Sequence, residues 1–175
     1  MSPDTIYVAP LSRVQSTIVD ARVSHLLTLI NGDTVVPTPP SIGPDRHLRL
    51  DMNDICEPAD GLLLPHENHV ADLVRFALDW DRNAPLLIHC WAGISRSTAA
   101  AFISLCALNP KADELDLARV LRQASPTANP NRRLVALGDG VLARSGRMTA
   151  AIEEIGPGEL AEEGPVFALP AQSEA

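Results

Sequence analysis

An apolar run that ends in a cysteine, Leu86 to Cys90, is followed by five residues, an arginine and a mostly apolar stretch. The run has the length and composition of a buried strand, and the stretch from Ser95 to about Leu108 has those of a buried helix. The chain must therefore pass from strand to helix within residues 91–95. This arrangement puts the Cys90 thiol beneath the N-terminus of a helix and Arg96 at the rim.

The loop, the helix N-terminus and the arginine together predict a site for a phosphate-sized anion. Successive loop amides form a concave anion nest, and a helix N-terminus adds partial positive charge. Arg96 can hold two phosphate oxygens with its planar guanidinium, and Gly93 lets the backbone turn without a Cβ. Such surroundings lower the pKa of a thiol from about 8.5, so Cys90 is predicted to be a nucleophile. The expected phosphoryl-binding residues are Trp91, Ala92, Gly93, Ile94, Ser95 and Arg96.

Two neighbours of this loop have candidate roles. The Ser97 hydroxyl can donate to the Cys90 sulfur and help it to leave a phospho-cysteine intermediate, whereas Thr98 is interpreted as an ordinary first-turn residue. His89 points to the opposite side of the strand from Cys90. We therefore expect His89 to order the loop by hydrogen bonding rather than to transfer a proton.

The string His-Cys-x-x-Gly-x-Ser-Arg-Ser at residues 89–97 resembles the signature of the cysteine-dependent protein tyrosine phosphatases, most closely the small dual-specificity type. The segment His47 to Asp54 is similar to the strand and loop that carry the family's general acid. Asn129 to Asn131 is similar to the segment that supports the phosphate loop, which implies a supporting role for Asn131. The chain also resembles short bacterial tyrosine phosphatase-like members. The resemblance covers about residues 5–147 and implies an enzyme that needs no cofactor and no metal.

The leaving phenolate must receive a proton, and two carboxylic acids lie upstream of the cysteine. Asp51 falls within a predicted strand, on the same face as Arg49. Asp54 falls just past the carboxyl end of that strand, where the functional loops of an α/β sheet gather and where Cys90 also lies. Both the position and the resemblance favour Asp54 as the general acid, with Asp51 as the other candidate.

The order of the predicted elements gives the fold class. Strands alternate with helices, which predicts an α/β fold with a mainly parallel central sheet flanked by helices, as in protein tyrosine phosphatases. The predicted strands are Thr5 to Ala9, His25 to Ile30, His47 to Met52 and Pro85 to Cys90. The predicted helices are Leu11 to about Ala21, Glu67 to Asp81, Ser95 to about Leu108, Asp113 to Gln123 and Asn131 to about Arg144. Between them, residues 31–46 contain four prolines and form a loop.

The charge divides the chain into a phosphatase domain, 1–150, and an acidic C-terminal tail, 151–175. The net charge is −8, and the six glutamates after Arg147, unaccompanied by Lys or Arg, leave only −2 for the rest. We expect Met148 to Ile155 to finish a helix and residues 156–175, rich in Gly, Pro, Glu and Ala, to be loosely attached and flexible. Docking of Val166, Phe167 and Leu169 on the domain is an open alternative.

Bulk properties exclude several other classes of protein. No basic stripe favours nucleic acid or a membrane surface, and no apolar run has the length of a membrane span. The odd number of cysteines, three, argues against a disulfide framework and for the cytoplasm. We interpret Cys106 as core, His66 and His69 as the start of a surface helix without a metal, and Cys56 as a weak candidate for a redox bridge with Cys90.

The predicted activity is phosphate removal from phosphotyrosine in proteins, with phosphoserine and phosphothreonine as further substrates. Phosphorylated proteins or peptides and oxyanions such as phosphate and vanadate are the expected partners. The loop residues 91–95 include no lysine to meet extra phosphates, which argues against phosphoinositides. Two alternatives remain: a catalytically weak module that binds phosphoproteins, and a triphosphatase for RNA 5′ ends that uses the same loop.

Overall fold

The computed structural model describes residues 2–172, which fold around one mixed sheet with helices on both faces. Strands β1 to β5 are Thr5–Pro10, His25–Ile30, His47–Asp51, Leu86–Cys90 and Phe167–Pro170. Helices α1 to α6 are Val14–Ala21, Glu67–Asp79, Arg96–Leu108, Glu114–Ala124, Arg132–Val141 and Arg147–Ile155. The strand order is β3-β2-β4-β1-β5, and all neighbours are parallel except β1 and β5. The predicted α/β class with a mainly parallel sheet is confirmed.

Strand β4 lies at the centre of the sheet, and all of its residues are buried. Its side chains alternate between two clusters: Leu86 and Ile88 belong to the main core beneath α2 to α6, and Leu87 belongs to a smaller cluster beneath α1. By the same alternation Cys90 faces the α3 side, whereas His89 faces the other side of the sheet. The pleat thus separates the two side chains that the sequence motif places next to each other.

Helix α3 starts directly after the loop and is buried from Arg96 through Cys106. Three consecutive alanines, residues 99–101, are fully buried and let the helix axis approach the sheet closely. The helix contacts β4, β1 and β2 as well as α2, α4 and α5. Its N-terminus is therefore held rigidly against the carboxyl end of β4. No helix within residues 2–172 is long and apolar enough to cross a membrane.

Helix α5 is shorter than the predicted helix from Asn131 to about Arg144. Helix α5 ends at Val141, and Ala143, Ser145 and Gly146 then adopt positive φ angles of 52°, 55° and 85°. These left-handed residues reverse the chain, and Arg147 begins a separate helix. Asp139 accepts hydrogen bonds from the amides of Gly146 and Met148, which fixes the start of α6.

The expected flexible tail is wrong for the described part of the C-terminal segment. Residues 147–155 form α6, and Phe167–Pro170 pair antiparallel with β1 at the edge of the sheet. Phe167, Leu169 and Ala171 are buried, while Ala168 and Pro170 are exposed. This alternation is the period of a strand, and it outweighs the acidic composition on which the prediction rested. The domain therefore extends to at least Ala171, and residues 173–175 lie outside the described part.

Candidate active site

The loop of residues 91–95 joins β4 to α3 and is folded tightly against the end of β1. Cys90, the last residue of β4, is 2% exposed. Gly93 has a φ of 70°, and a Cβ at this position would lie 2.7 Å from the backbone nitrogen of Pro10. Only glycine fits here, because a side chain would meet backbone and because the left-handed conformation disfavours one.

Four of the five carbonyl groups of the loop, all except that of Gly93, point away from its interior, because each of the four accepts a hydrogen bond from an amide outside the loop. The pairs, with their N···O distances, are Leu11 to Trp91 at 3.0 Å, Gly164 to Ala92 at 2.8 Å, Asn129 to Ile94 at 2.9 Å and Asn131 to Ser95 at 3.2 Å. The C=O and N–H of a trans peptide point in opposite directions. The amides of residues 92, 93, 95 and 96 are therefore turned inward and form a nest for an anion.

Arg96 is a buried cation without an anionic partner in the described part of the chain. It is 5% exposed, and its Nη1 donates to the Met52 carbonyl oxygen at 2.8 Å. Its Nε is buried without a hydrogen-bond partner among residues 2–172, and no carboxylate of these residues forms an ion pair with it. An uncompensated buried charge costs several kcal/mol, and a bound oxyanion would offset that cost.

Ser97 lies within reach of the cysteine, as the sequence predicts. Its Oγ is 3.2 Å from the Cys90 Sγ, and the side chain is fully buried in the first turn of α3. The Thr98 hydroxyl instead donates to the carbonyl oxygens of Ile94 and Ser95. Ser97 is thus the hydroxyl that contacts the sulfur, and Thr98 stabilises the start of the helix.

Asp54 is held at the edge of the same loop. Its Oδ1 accepts hydrogen bonds from Ser95 Oγ and from Asn131 Nδ2, both at 2.8 Å. Asp51, the other candidate acid, instead accepts from the Gly32 amide at 2.5 Å and so belongs to the turn after β2. The structure brings Asp54 to the loop, and no hydrogen bond joins Asp51 to it.

Asn131 connects three parts of the site. It is buried, it caps α5 by accepting from the Leu134 amide at 3.0 Å, and its own amide donates to the Ser95 carbonyl. Its side-chain nitrogen donates to Asp54. One asparagine therefore joins the end of the loop of residues 91–95 to the Asp54 carboxylate.

Trp91 and the two other cysteines have distinct surroundings. Trp91 is 50% exposed, and its Nε1 donates to Asn31 Oδ1 at 3.3 Å, so the ring belongs to the surface beside the loop and not to the core. Cys56 is exposed, with its Sγ 3.8 Å from Asn131 Oδ1. Cys106 is fully buried in the core, and burial raises the pKa of its thiol to about 12. A Cys56–Cys90 bridge stays a prediction.

His89 takes part in a buried chain of hydrogen bonds. The Cys90 carbonyl oxygen can only accept, so His89 Nδ1 donates to it, at 3.3 Å. His89 Nε2 is then an acceptor, and the Thr28 hydroxyl donates to it at 2.7 Å. Because that hydroxyl has one proton, it must accept from His47 Nε2, 2.9 Å away. With both rings neutral, this pattern assigns their tautomers.

The chain continues to the loop of residues 31–46. His47 Nδ1 accepts from Thr38 Oγ1 at 2.9 Å, and Arg49 Nη2 donates to the same hydroxyl oxygen at 2.7 Å. Burial lowers the pKa of His89 to about 4, and burial with the charges of Arg49 and His89 lowers the pKa of His47 to about 4. The amino-acid sequence does not indicate the hydrogen bonds of Thr28, Thr38 and His47, because isolated polar residues in strands and loops form no pattern.

We expect the free energy of unfolding to fall as the pH drops from about 6.5 to about 4. His47 and His89 have folded pKa values of about 4, whereas the pKa of unfolded histidine is about 6.5. The unfolded chain therefore binds more protons between these values, and each histidine removes about 1.4 kcal/mol of stability per pH unit. Urea unfolding at several pH values across this window measures the slope.

Two histidine variants test the origin of that slope. His47→Gln removes one buried titrating ring and should reduce the pH dependence. His66→Asn, at the exposed residue that precedes α2, keeps a favoured helix cap and leaves the buried pair His47 and His89 in place, so it should reduce the dependence less than His47→Gln does. If the free energy of unfolding depended on pH equally in His47→Gln and in the unaltered protein, the dependence would not come from the buried histidines.

Comparisons with known proteins match the fold but not the sequence. No family model matches the chain, and no curated protein matches it. The crystal structure of DUSP15 is similar with a TM-score of 0.60 and 19% identity, covering 87% of this chain and 92% of that one. The crystal structure of the Cydia pomonella PTP-2 phosphatase is similar with a TM-score of 0.61 and 19% identity, covering 77% of this chain and 84% of that one. The structure of the human tyrosine phosphatase-like serine/threonine/tyrosine-interacting protein has a TM-score of 0.59 and 17% identity, and the match covers 80% of this chain and 92% of that one.

These similarities define the class of fold. The chain has a protein tyrosine phosphatase-like fold, with the order of strands and the position of the loop described above. At such identities the likeness concerns architecture, so the chemistry must be argued from this chain's own residues.

Proposed function

We propose that this protein is a cysteine-dependent phosphomonoesterase that removes phosphate from phosphotyrosine in proteins, with phosphoserine and phosphothreonine as further substrates. The observation that carries the proposal is the buried Arg96, which has no carboxylate partner among residues 2–172 and lies beside a loop whose amides turn inward at Cys90. A phosphoryl dianion satisfies the guanidinium and the amides together. A thiol at the centre of such a site is positioned to attack phosphorus.

In the first step the Cys90 sulfur attacks phosphorus in line with the leaving oxygen. The S–P bond forms, the P–O bond to the substrate breaks, and Asp54 donates its proton to the departing oxygen. Arg96 and the loop amides hold the other three phosphoryl oxygens and stabilise their charge in the transition state. The products are a phospho-cysteine and the free hydroxyl of the substrate.

In the second step water attacks the phospho-cysteine. Asp54, now ionised, takes a proton from the water as the O–P bond forms and the S–P bond breaks. The departing sulfur becomes a thiolate, and the Ser97 hydroxyl, 3.2 Å from it, donates a hydrogen bond to the developing charge. Inorganic phosphate leaves, and the enzyme returns to its first state without a metal or cofactor.

The surroundings of the loop favour a phosphorylated protein side chain as substrate. The half-exposed Trp91 adjoins the nucleophile and can pack against a phenyl ring. The net charge of −8 opposes binding of polyanions such as RNA, and the loop has no lysine for a second phosphate. We place the protein in the cytoplasm, because its three free cysteines suit a reducing compartment.

The test is hydrolysis of three peptides of one sequence that carry phosphotyrosine, phosphothreonine or phosphoserine, in the presence of a metal chelator. We expect turnover that vanadate inhibits, with the largest kcat/KM for phosphotyrosine. Acid quenching during turnover should trap phosphate on the peptide that contains Cys90. Equal rates for the three peptides would contradict a preference for phosphotyrosine and leave a phosphatase of dual specificity. A requirement for metal would contradict the mechanism.

A module that binds phosphoproteins with little catalysis is the second candidate. It is supported by the structural similarity to the human interacting protein described above, whose name refers to interaction. A reduced, folded protein that binds the phosphotyrosine peptide in calorimetry but releases no phosphate would favour this alternative. Asp54 and Ser97 argue for the enzyme, because binding alone needs neither a proton donor nor a hydroxyl at the sulfur.

A further inference from the structure

The segment between α6 and β5, residues 156–166, crosses the outer side of the phosphate loop, and we name it the C-terminal strap. Its backbone is tied to the domain at both ends. Arg122 donates to the carbonyl oxygens of Ile155 and Gly156, and the Glu159 amide donates to the Pro126 carbonyl at 2.9 Å. Strand β5, which follows the strap, pairs with β1.

The strap makes one direct hydrogen bond to the phosphate loop. The Gly164 amide donates to the Ala92 carbonyl oxygen, with an N···O distance of 2.8 Å. Nearby, Glu163 Oε1 accepts from Ser12 Oγ at 2.5 Å, so the strap is anchored beside this contact by an independent bond. The amide of residue 164 is thus held in place before it meets the loop.

The strap approaches the loop so closely that a Cβ at Gly164 would crowd it. A Cβ at Gly164 would lie 3.0 Å from the Gly93 carbonyl oxygen and 3.2 Å from the Ile94 Cγ1. A Cβ at Gly158, earlier in the strap, would lie 2.5 Å from the Ala128 carbonyl oxygen. A side chain is excluded at Gly158 and crowded at Gly164, which marks the strap as packed against this part of the fold rather than laid loosely over it.

We propose that Gly164 is a positioning residue for oxyanion binding, an inference that rests on the proposed function. The Ala92 carbonyl and the Gly93 N–H belong to one peptide group and point in opposite directions. By holding the carbonyl outward, Gly164 directs the Gly93 amide towards the bound phosphoryl group. Gly93 is the loop residue with a positive φ, and no other hydrogen bond from residues 2–172 holds the Ala92 carbonyl.

The first experiment compares Gly164→Ala with Gly140→Ala. The new Cβ at position 164 displaces the Gly93 carbonyl and Ile94, whereas a Cβ at Gly140, in α5, meets nothing within 4 Å. Tungstate binding is measured by calorimetry. KM and kcat are measured by steady-state kinetics with an aryl phosphate. We expect the tungstate Kd and the KM of Gly164→Ala to rise together by roughly tenfold, as for one lost charge-assisted hydrogen bond. Gly140→Ala should match the unaltered protein.

A second measurement needs no variant, in case Gly164→Ala does not fold. Tungstate is added to the 15N-labelled unaltered protein, and the amide resonances of Gly93 and Gly164 are followed by NMR. A bound oxyanion polarises the Ala92–Gly93 peptide group, so both amides should shift, because linked hydrogen bonds strengthen one another. A shift at Gly93 without one at Gly164 would overturn the inference.

The outcomes separate this inference from the proposed function. If the unaltered protein turns over aryl phosphate and binds tungstate, and Gly164→Ala does both equally well, the positioning role is wrong and the phosphatase proposal stands. A lower unfolding temperature with unchanged tungstate Kd would mean that Gly164 is only structural, which also overturns it. If the unaltered protein neither binds tungstate nor hydrolyses aryl phosphate, both proposals fail.

Discussion

Cys90→Ser should abolish hydrolysis of aryl phosphates while leaving the anion site intact. The serine hydroxyl fills nearly the same space at the end of β4, but it does not ionise near neutral pH and attacks phosphorus poorly. Loss of a nucleophile costs several orders of magnitude in other hydrolases, so we expect kcat to fall by about 10⁴-fold or more. Steady-state kinetics with p-nitrophenyl phosphate, in the presence of a chelator, measure the loss.

Binding provides the control for that variant. The loop amides and Arg96 remain, so Cys90→Ser should bind tungstate with a Kd close to that of the unaltered protein. Cys56→Ser, at an exposed thiol outside the loop, should retain full turnover. If Cys90→Ser keeps substantial activity, the phospho-cysteine mechanism is wrong, whatever the fold.

Asp54→Asn should lower kcat by about 10²- to 10⁴-fold, the usual contribution of general acid catalysis. The loss should depend on the leaving group. Phenyl phosphate releases a more basic oxygen than p-nitrophenyl phosphate and therefore needs the proton more. We therefore expect a larger defect with phenyl phosphate than with p-nitrophenyl phosphate.

Asp51→Asn is the matched variant, since it makes the same chemical change three residues earlier. The Asp51 carboxylate accepts from the Gly32 amide and forms no hydrogen bond with residues 91–95, so kcat should change little. If Asp51→Asn produced the large, leaving-group-dependent defect and Asp54→Asn did not, the assignment of the acid would be reversed. Urea unfolding of both variants separates a catalytic defect from a loss of fold.

The sequence predicted the central part of the fold well, because its signals are local. The apolar run of β4 and the periodic helices are written in consecutive residues, and β2 has the predicted bounds of His25–Ile30. Helix ends moved by a few residues: Asp113 and Asn131, predicted as first residues, are the caps of α4 and α5. A cap has extended rather than helical backbone, and the pattern does not distinguish the two.

The residues of the candidate site also differ in how far local sequence signals could place them. The strand, the loop and the helix are contiguous, so Cys90, Arg96 and Ser97 could be placed together from their spacing alone. Asp54, 36 positions before Cys90, could be proposed from its place past the end of a strand and from the resemblance, and Asn131 only from the resemblance. Their hydrogen bonds to Ser95 and to each other are tertiary facts.

By itself, the sequence determined an α/β sheet and a loop in which a cysteine lies beneath a helix N-terminus. Only the tertiary structure decided what holds that loop. Backbone amides from β1's end, from the segment before α5 and from the C-terminal strap bind its carbonyls, and Thr28 and His47 fix the ring of His89. Backbone donors are common to almost every residue type, so their pairing leaves no mark in the sequence and depends on where the chain is brought by packing.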